Sequence, residues 1–196
     1  MTHIRGIPVT LLILLAILST GAAFLPKEYL PWALLLLPMI GVIAGTMLPK
    51  RVRGKTWGLA VSASTLFTAI SMAFQYDWKT GGMQYQIHLP AMPGIPWRLS
   101  FGVDQISMML VLLTASLHPL AVTASLRSIH VRSRQHYAWM NFLLVTMAGT
   151  FMATDLLAFY VFFEASLIPL FFIVGMWGGK ERKRAASKRR LYTCFG

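Results

Sequence analysis

Residues 156–177 read LLAFYVFFEASLIPLFFIVGMW, and the architecture of the chain follows from how this stretch is read. It holds 22 residues and one ionisable group, Glu164, among five phenylalanines, a tyrosine and a tryptophan. An apolar run of this length crosses a hydrocarbon core of about 30 Å as a helix. A carboxylate at the centre of such a helix costs on the order of 2.5–3.5 kcal/mol on insertion scales, so it needs a physical reason. Pro169 lies five residues on. Its missing N–H and its ring deprive the carbonyl of Ala165 of its usual partner and favour a kink. A buried glutamate beside freed backbone is what a proton-handling site requires. The plainer alternative is a neutral acid hydrogen-bonded to a neighbouring helix.

Working outward, residues 137–177 form 41 residues with two acids and no base. As one helix they would run about 60 Å, twice the hydrocarbon thickness, so the chain must fold back. Thr154–Asp155 is the corner that the sequence offers, giving spans at 137–153 and 156–177 and a capping role for Asp155. Glu164 then sits eight residues into the last span. That is roughly 12 Å deep and near the midplane.

Upstream, residues 7–25 form a first apolar run after Arg5, read either as a signal-like segment or as a retained helix. A second span covers 29–48, with Pro38 inside it and Gly41 and Gly45 in a small-xxx-small spacing that lets another helix approach. A third covers 56–76, rich in Ser and Thr. Residues 77–102 form the longest loop, with Pro90, Pro93 and Pro96, interfacial Trp78 and Trp97, and a short strand at 84–89 suited to a hairpin. A fourth span covers 104–126, begun by an Asp104–Ser107 cap and carrying His118 just before Pro119. His118 lies about 20 Å from the Asp104 end. It is the second ionisable group inside a span, a candidate proton relay or a satisfied core histidine.

Composition agrees. The chain of 196 residues is 56 % hydrophobic and only 12 % charged, against about 25 % in soluble domains; its mean hydropathy is +0.61. The net charge of +12 falls in short loops between apolar runs. That places it in membrane topology rather than nucleic-acid binding. Fifteen of the 18 Lys and Arg residues fall on one set of alternate loops and three on the other. This bias predicts a cytoplasmic N-terminus and about six spans, an all-α polytopic transmembrane helix bundle set in the lipid bilayer of the cell's inner membrane. The one cysteine, Cys194, excludes a disulfide framework and iron–sulfur ligation within the chain. The twelve methionines scatter through the spans as packing, and no Gly-rich nucleotide fingerprint is present. No base lies inside a span, so Glu164 is either protonated or paired with a cation from elsewhere.

FYVFFEASLIPLFFIVGMWGGKER (159–182) resembles the segment around the membrane glutamate of the antiporter-like subunits of respiratory complex I. FGVDQISMMLVLLTASLHPLAVTAS (101–125) is similar to the GVDGLS-type helix that precedes it. Related subunits occur in multisubunit cation/proton antiporters and membrane-bound hydrogenases. The resemblance implies that Glu164 is the channel glutamate, working with a lysine on a following helix. It also implies a subunit that translocates protons without a redox centre. NADH, FMN, iron–sulfur clusters and quinone would be handled by other subunits, and the other membrane subunits of complex I would be the partners. The resemblance covers roughly residues 32–193, so residues 1–28 are extra and 29–196 are the antiporter-like part. The chain stops where the family enters another helix, which reads as an N-terminal fragment. A truncated chain acting as a membrane scaffold is the remaining alternative. His118 is not part of the motif.

Overall fold

The computed structural model describes residues 26–47, 54–88, 99–129 and 131–178. The first apolar run, the proline-rich part of the long loop with Trp97, and the final basic loop lie outside the described residues. A 3-10 turn, Lys27–Tyr29, leads into α1 (Leu30–Met47). Then come α2 (Gly54–Gln75), β1 (Gln84–His88), β2 (Ser100–Val103), α3 (Gln105–Ser128), α4 (Ser133–Met152) and α5 (Leu156–Trp177). Three of these helices, α2, α3 and α5, are long and apolar enough to cross a membrane by length and composition.

α4 is the hub, packing against α1, α2, α3 and α5. Small residues bring the helices together. A Cβ on Gly41 would lie 2.6 Å from Val61 Cγ1, and one on Gly58 would lie 2.8 Å from the Tyr137 ring. The indole N–H of Trp57 donates to the Gly41 carbonyl at 2.8 Å. The small-xxx-small spacing of α1 is therefore a helix contact. The hydroxyls of α2 turn back on their own helix: Ser64 and Thr65 donate to the Val61 carbonyl and Thr68 to that of Ser64. Satisfied this way, they can be buried without an orphaned donor.

The predicted strand forms and finds its partner in residues 100–103. Gln84 faces Val103, Ile87 faces Phe101 and His88 faces Ser100 in antiparallel pairing, with an irregularity between. Tyr85 sits there at φ 56 and donates its hydroxyl to the Met72 carbonyl. The hairpin also holds the α4–α5 corner. The Thr154 N–H donates to the Ser100 carbonyl at 3.1 Å, and Phe101 bridges to Ala153. Phe101, Val103, Met108, Val111, Met152 and Ala158 close the core beneath it.

Two expectations need correcting. The Asp155 side chain makes no capping hydrogen bond; only its carbonyl accepts, from the Phe159 N–H. The corner is fixed by its pairing with β2 instead. α4 starts at Ser133 rather than at residue 137, because polar Ser133–His136 continue the helix before the apolar run begins.

The Asp104 cap does form. Asp104 accepts from the Ser107 N–H at 2.7 Å. The hydrogen bonds from the Ser107 side chain and backbone hold its carboxyl below the usual carboxylate range. A lowered folded-state pKa adds stability that is present above the unfolded value, about 3.9, and is lost as pH falls through the folded value. Asp104→Ala is expected to lower stability by about 1 kcal/mol at neutral pH. In thermal unfolding of the micellar protein, the gap between wild type and variant should close on acidification below the carboxylate range.

α5 leans on α4 through one tight approach. A Cβ on Gly149 would overlap the Phe162 ring, and Trp139 stacks on Phe172 with centroids 4.4 Å apart. Gly149→Val should cost about 1–3 kcal/mol by overpacking. Amide hydrogen exchange should rise through Leu156–Trp177 while Gln105–Ser128 keeps its protection.

Candidate functional site

Glu164 sits half-buried in the middle of α5. Residues three and four apart share a helix face, which puts Tyr160, Val161 and Ile168 beside it. These three are 49–59 % exposed, so Glu164 lies on the face that the described bundle leaves open. Ala158 and Pro169 are the buried residues of this helix. Among the described residues Glu164 has no hydrogen-bond or ion-pair partner. The hydroxyl of neighbouring Ser166 is taken by the Phe163 carbonyl.

The described bases stand at helix ends. Lys55, Arg127, Arg132 and Arg134 cluster where α2 and α4 begin and α3 finishes, and Lys55 donates to the Leu126 carbonyl there. Lys27 and Lys79 mark the hairpin end. None lies at the level of Glu164, in keeping with the charge pattern of the sequence.

His118 is buried in the seam between α3 and α4. Its Nε2 lies 3.1 Å from the Met140 carbonyl. A carbonyl only accepts, so Nε2 carries the hydrogen. Nδ1 has no partner among the described residues. His136 and Asn141 of α4 are also buried, and among the described residues neither ring nitrogen of His136 nor either amide atom of Asn141 is hydrogen-bonded. His118 and His136 line a groove of about 630 Å³ between α3, α4 and α5.

The structure does not bring His118 and Glu164 together. α5 contributes Leu170 and Ile173 to the groove. At about 100° per residue these lie roughly 120° and 180° around the helix from Glu164. The two sequence-predicted residues thus belong to opposite sides of α5. The sequence reading missed His136 and Asn141. His136 closed a basic stretch and looked like loop, and Asn141 was one neutral polar residue in an apolar run.

Comparison with known proteins agrees with this architecture. Residues 153–196 match the family described as NADH:quinone oxidoreductase/Mrp antiporter, transmembrane region. Subunit M of NADH-quinone oxidoreductase from Rhodobacter capsulatus is 37 % identical over 161 residues, which is 81 % of this chain and 30 % of that protein. NAD(P)H-quinone oxidoreductase chain 4 of Gloeobacter violaceus is 32 % identical over 87 % of this chain and 32 % of its own length. F(420)H(2) dehydrogenase subunit M of Methanosarcina mazei is 29 % identical over 82 % of this chain and 32 % of its own. Among solved structures, a chain of respiratory complex I from Thermus thermophilus with bound NADH superposes with a TM-score of 0.65 at 26 % identity. The match covers 82 % of this chain and 32 % of that one. The chain thus spans about a third of the length of the relatives it matches. By sequence and by fold the chain is similar to about a third of the subunit M and chain 4 proteins of the NADH–quinone oxidoreductases.

Proposed function

We propose that this chain is part of a proton-translocating membrane subunit of an NADH–quinone oxidoreductase, with Glu164 as the carboxylate that takes up and releases the proton. The observation that carries this reading is the position of Glu164. It is the one acidic or basic side chain inside α5 and stands on that helix's open face. A carboxylate on an apolar helix is protonated when desolvated and ionised when a cation comes close. A basic residue on a further helix, seated against Tyr160, Val161 and Ile168, would pair with the Glu164 carboxylate. Opening of that pair would free the carboxylate to take a proton. The carbonyl of Ala165, left without its usual donor by Pro169, gives the proton a polar neighbour on the same helix.

Residues 29–196 form the antiporter-like unit and residues 1–28 precede it. The chain crosses the inner membrane about six times, with the N-terminus and the arginine-bearing linkers in the cytoplasm, as the fifteen-to-three distribution of Lys and Arg supports. NADH, FMN, iron–sulfur clusters and quinone belong to partner subunits, and the other membrane subunits of the complex are its neighbours. His118 serves chiefly as a tie between α3 and α4, since its one hydrogen bond joins the two helices.

A second reading is a subunit of a multisubunit cation/proton antiporter or of another redox-driven pump. The matched family spans both NADH:quinone oxidoreductases and Mrp antiporters, and the Methanosarcina relative is named for a different electron donor. Both readings give Glu164 the same work. In the complete assembly in inverted membrane vesicles, Glu164→Gln is expected to slow proton uptake roughly tenfold or more, within the range of a lost acid–base group. Tight coupling would slow NADH oxidation with it. Proton uptake at the wild-type rate would overturn the role given to Glu164. NADH failing to drive uptake in either form, while an imposed cation gradient does, would favour the antiporter reading.

A further inference from the structure

We propose that the groove between α3, α4 and α5 binds one anionic phospholipid from the leaflet on the arginine side of the membrane. Its wall is apolar, formed by Leu117, Ala121, Leu143, Met147, Leu170 and Ile173. Three of its five polar members, Ser125, Ser128 and His136, line one end, with His118 midway and Thr114 at the other end. Arg127 and Arg132 are exposed at that end, in the last turn of α3 and at the start of α4. Arg132 holds a left-handed backbone at φ 51 as the residue that opens α4. That helix start has no side-chain cap hydrogen bond, so its positive end adds to the two guanidinium groups. Trp177 closes the same end. Its ring packs edge-on against His136 at 4.9 Å, and its indole N–H donates to the Val131 carbonyl at 2.9 Å. An aromatic ring held beside arginines is what the headgroup level of a bilayer selects.

On α3 the groove runs from Thr114 to Ser128. That is about 21 Å of helix, half of a bilayer of ~40–45 Å including headgroups. Charge favours a lipid over a protein helix, because Arg127 and Arg132 stand exposed at one end of the groove only. An acyl chain with a phosphate at its outer end fits both the length and the one-sided charge. The site lies on the side of α5 away from Glu164, so it does not depend on the role of that residue.

The test uses the complete assembly, stripped of lipid in a zwitterionic detergent and titrated with phosphatidylglycerol or phosphatidylcholine carrying brominated acyl chains. Bromine quenches tryptophan on contact, and a Trp177→Phe assembly supplies the baseline from which the Trp177 signal is taken. Brominated phosphatidylglycerol is expected to quench Trp177 saturably, with roughly tenfold or greater preference over phosphatidylcholine, the scale of two arginines acting on one anionic headgroup. The double variant Arg127→Gln/Arg132→Asn should remove the preference while leaving the fold, since asparagine tolerates the left-handed backbone. Ala121→Phe should weaken quenching by both lipids. Equal quenching by the two headgroups in the wild type would overturn the proposal in favour of an ordinary lipid annulus. No quenching of Trp177 by either lipid would overturn it in favour of a groove covered by protein.

Discussion

The bundle depends on close backbone approach around α4. In a bilayer, burying apolar surface between helices gains little, because lipid tails are as apolar as leucine. What holds helices together is van der Waals contact and the internal satisfaction of polar groups. α4 collects these contacts. Tyr137 seats on Gly58, Arg134 on Gly54, and Phe162 of α5 lies over Gly149. The Tyr137 hydroxyl meets that of Ser125 on α3, and Met140 offers its carbonyl to His118. Together these join α4 to α2, α3 and α5. A side chain added at any of the three glycines would push a whole helix outward rather than one rotamer.

The same constraint explains which helices are buried. α5 is the most apolar of the three candidate spans and the least enclosed, with 11 % of its central window buried. α2 is the least apolar and the most enclosed, at 44 %. In water the order would be reversed. Here the buried helix is the one whose small and hydroxylated residues allow close contact, and Val61, Ser62, Ser64, Thr65 and Thr68 form that inner face. The phenylalanines and leucines of α5 serve against lipid or against further protein.

This is also why some features were legible in the sequence and others were not. α5 occupies residues 156–177 as predicted, because a long apolar run bounded by Asp155 and Gly178 leaves no freedom in where a span starts and stops. The Asp104 cap and the strand at 84–88 were legible because their signals are local. The start of α4 was misplaced because SRQH reads as a hydrophilic loop, whereas a helix near the headgroups accommodates such residues. Asp155 was misassigned because its corner is held by residues 100–101, which are far away in sequence. β2, the burial of His136 and Asn141, and the groove that His118 and His136 line were illegible for the same reason. Each arises where distant segments meet, and a hydropathy pattern carries no register between segments.

α5 divides the site into two sides of different chemistry, and a bilayer tells them apart. One side carries Leu170 and Ile173 into the groove, where lipid contact costs nothing. The other carries Glu164 among Tyr160, Val161 and Ile168, where lipid contact would leave a carboxyl group in hydrocarbon at a cost of a few kcal/mol. The arrangement of lowest free energy turns the groove side to lipid and the Glu164 side to protein. The proposed lipid site and the role proposed for Glu164 are therefore compatible with one helix orientation. The feature that fixes it is the position of one carboxylate, roughly half a turn of helix away from the apolar side chains that α5 gives the groove.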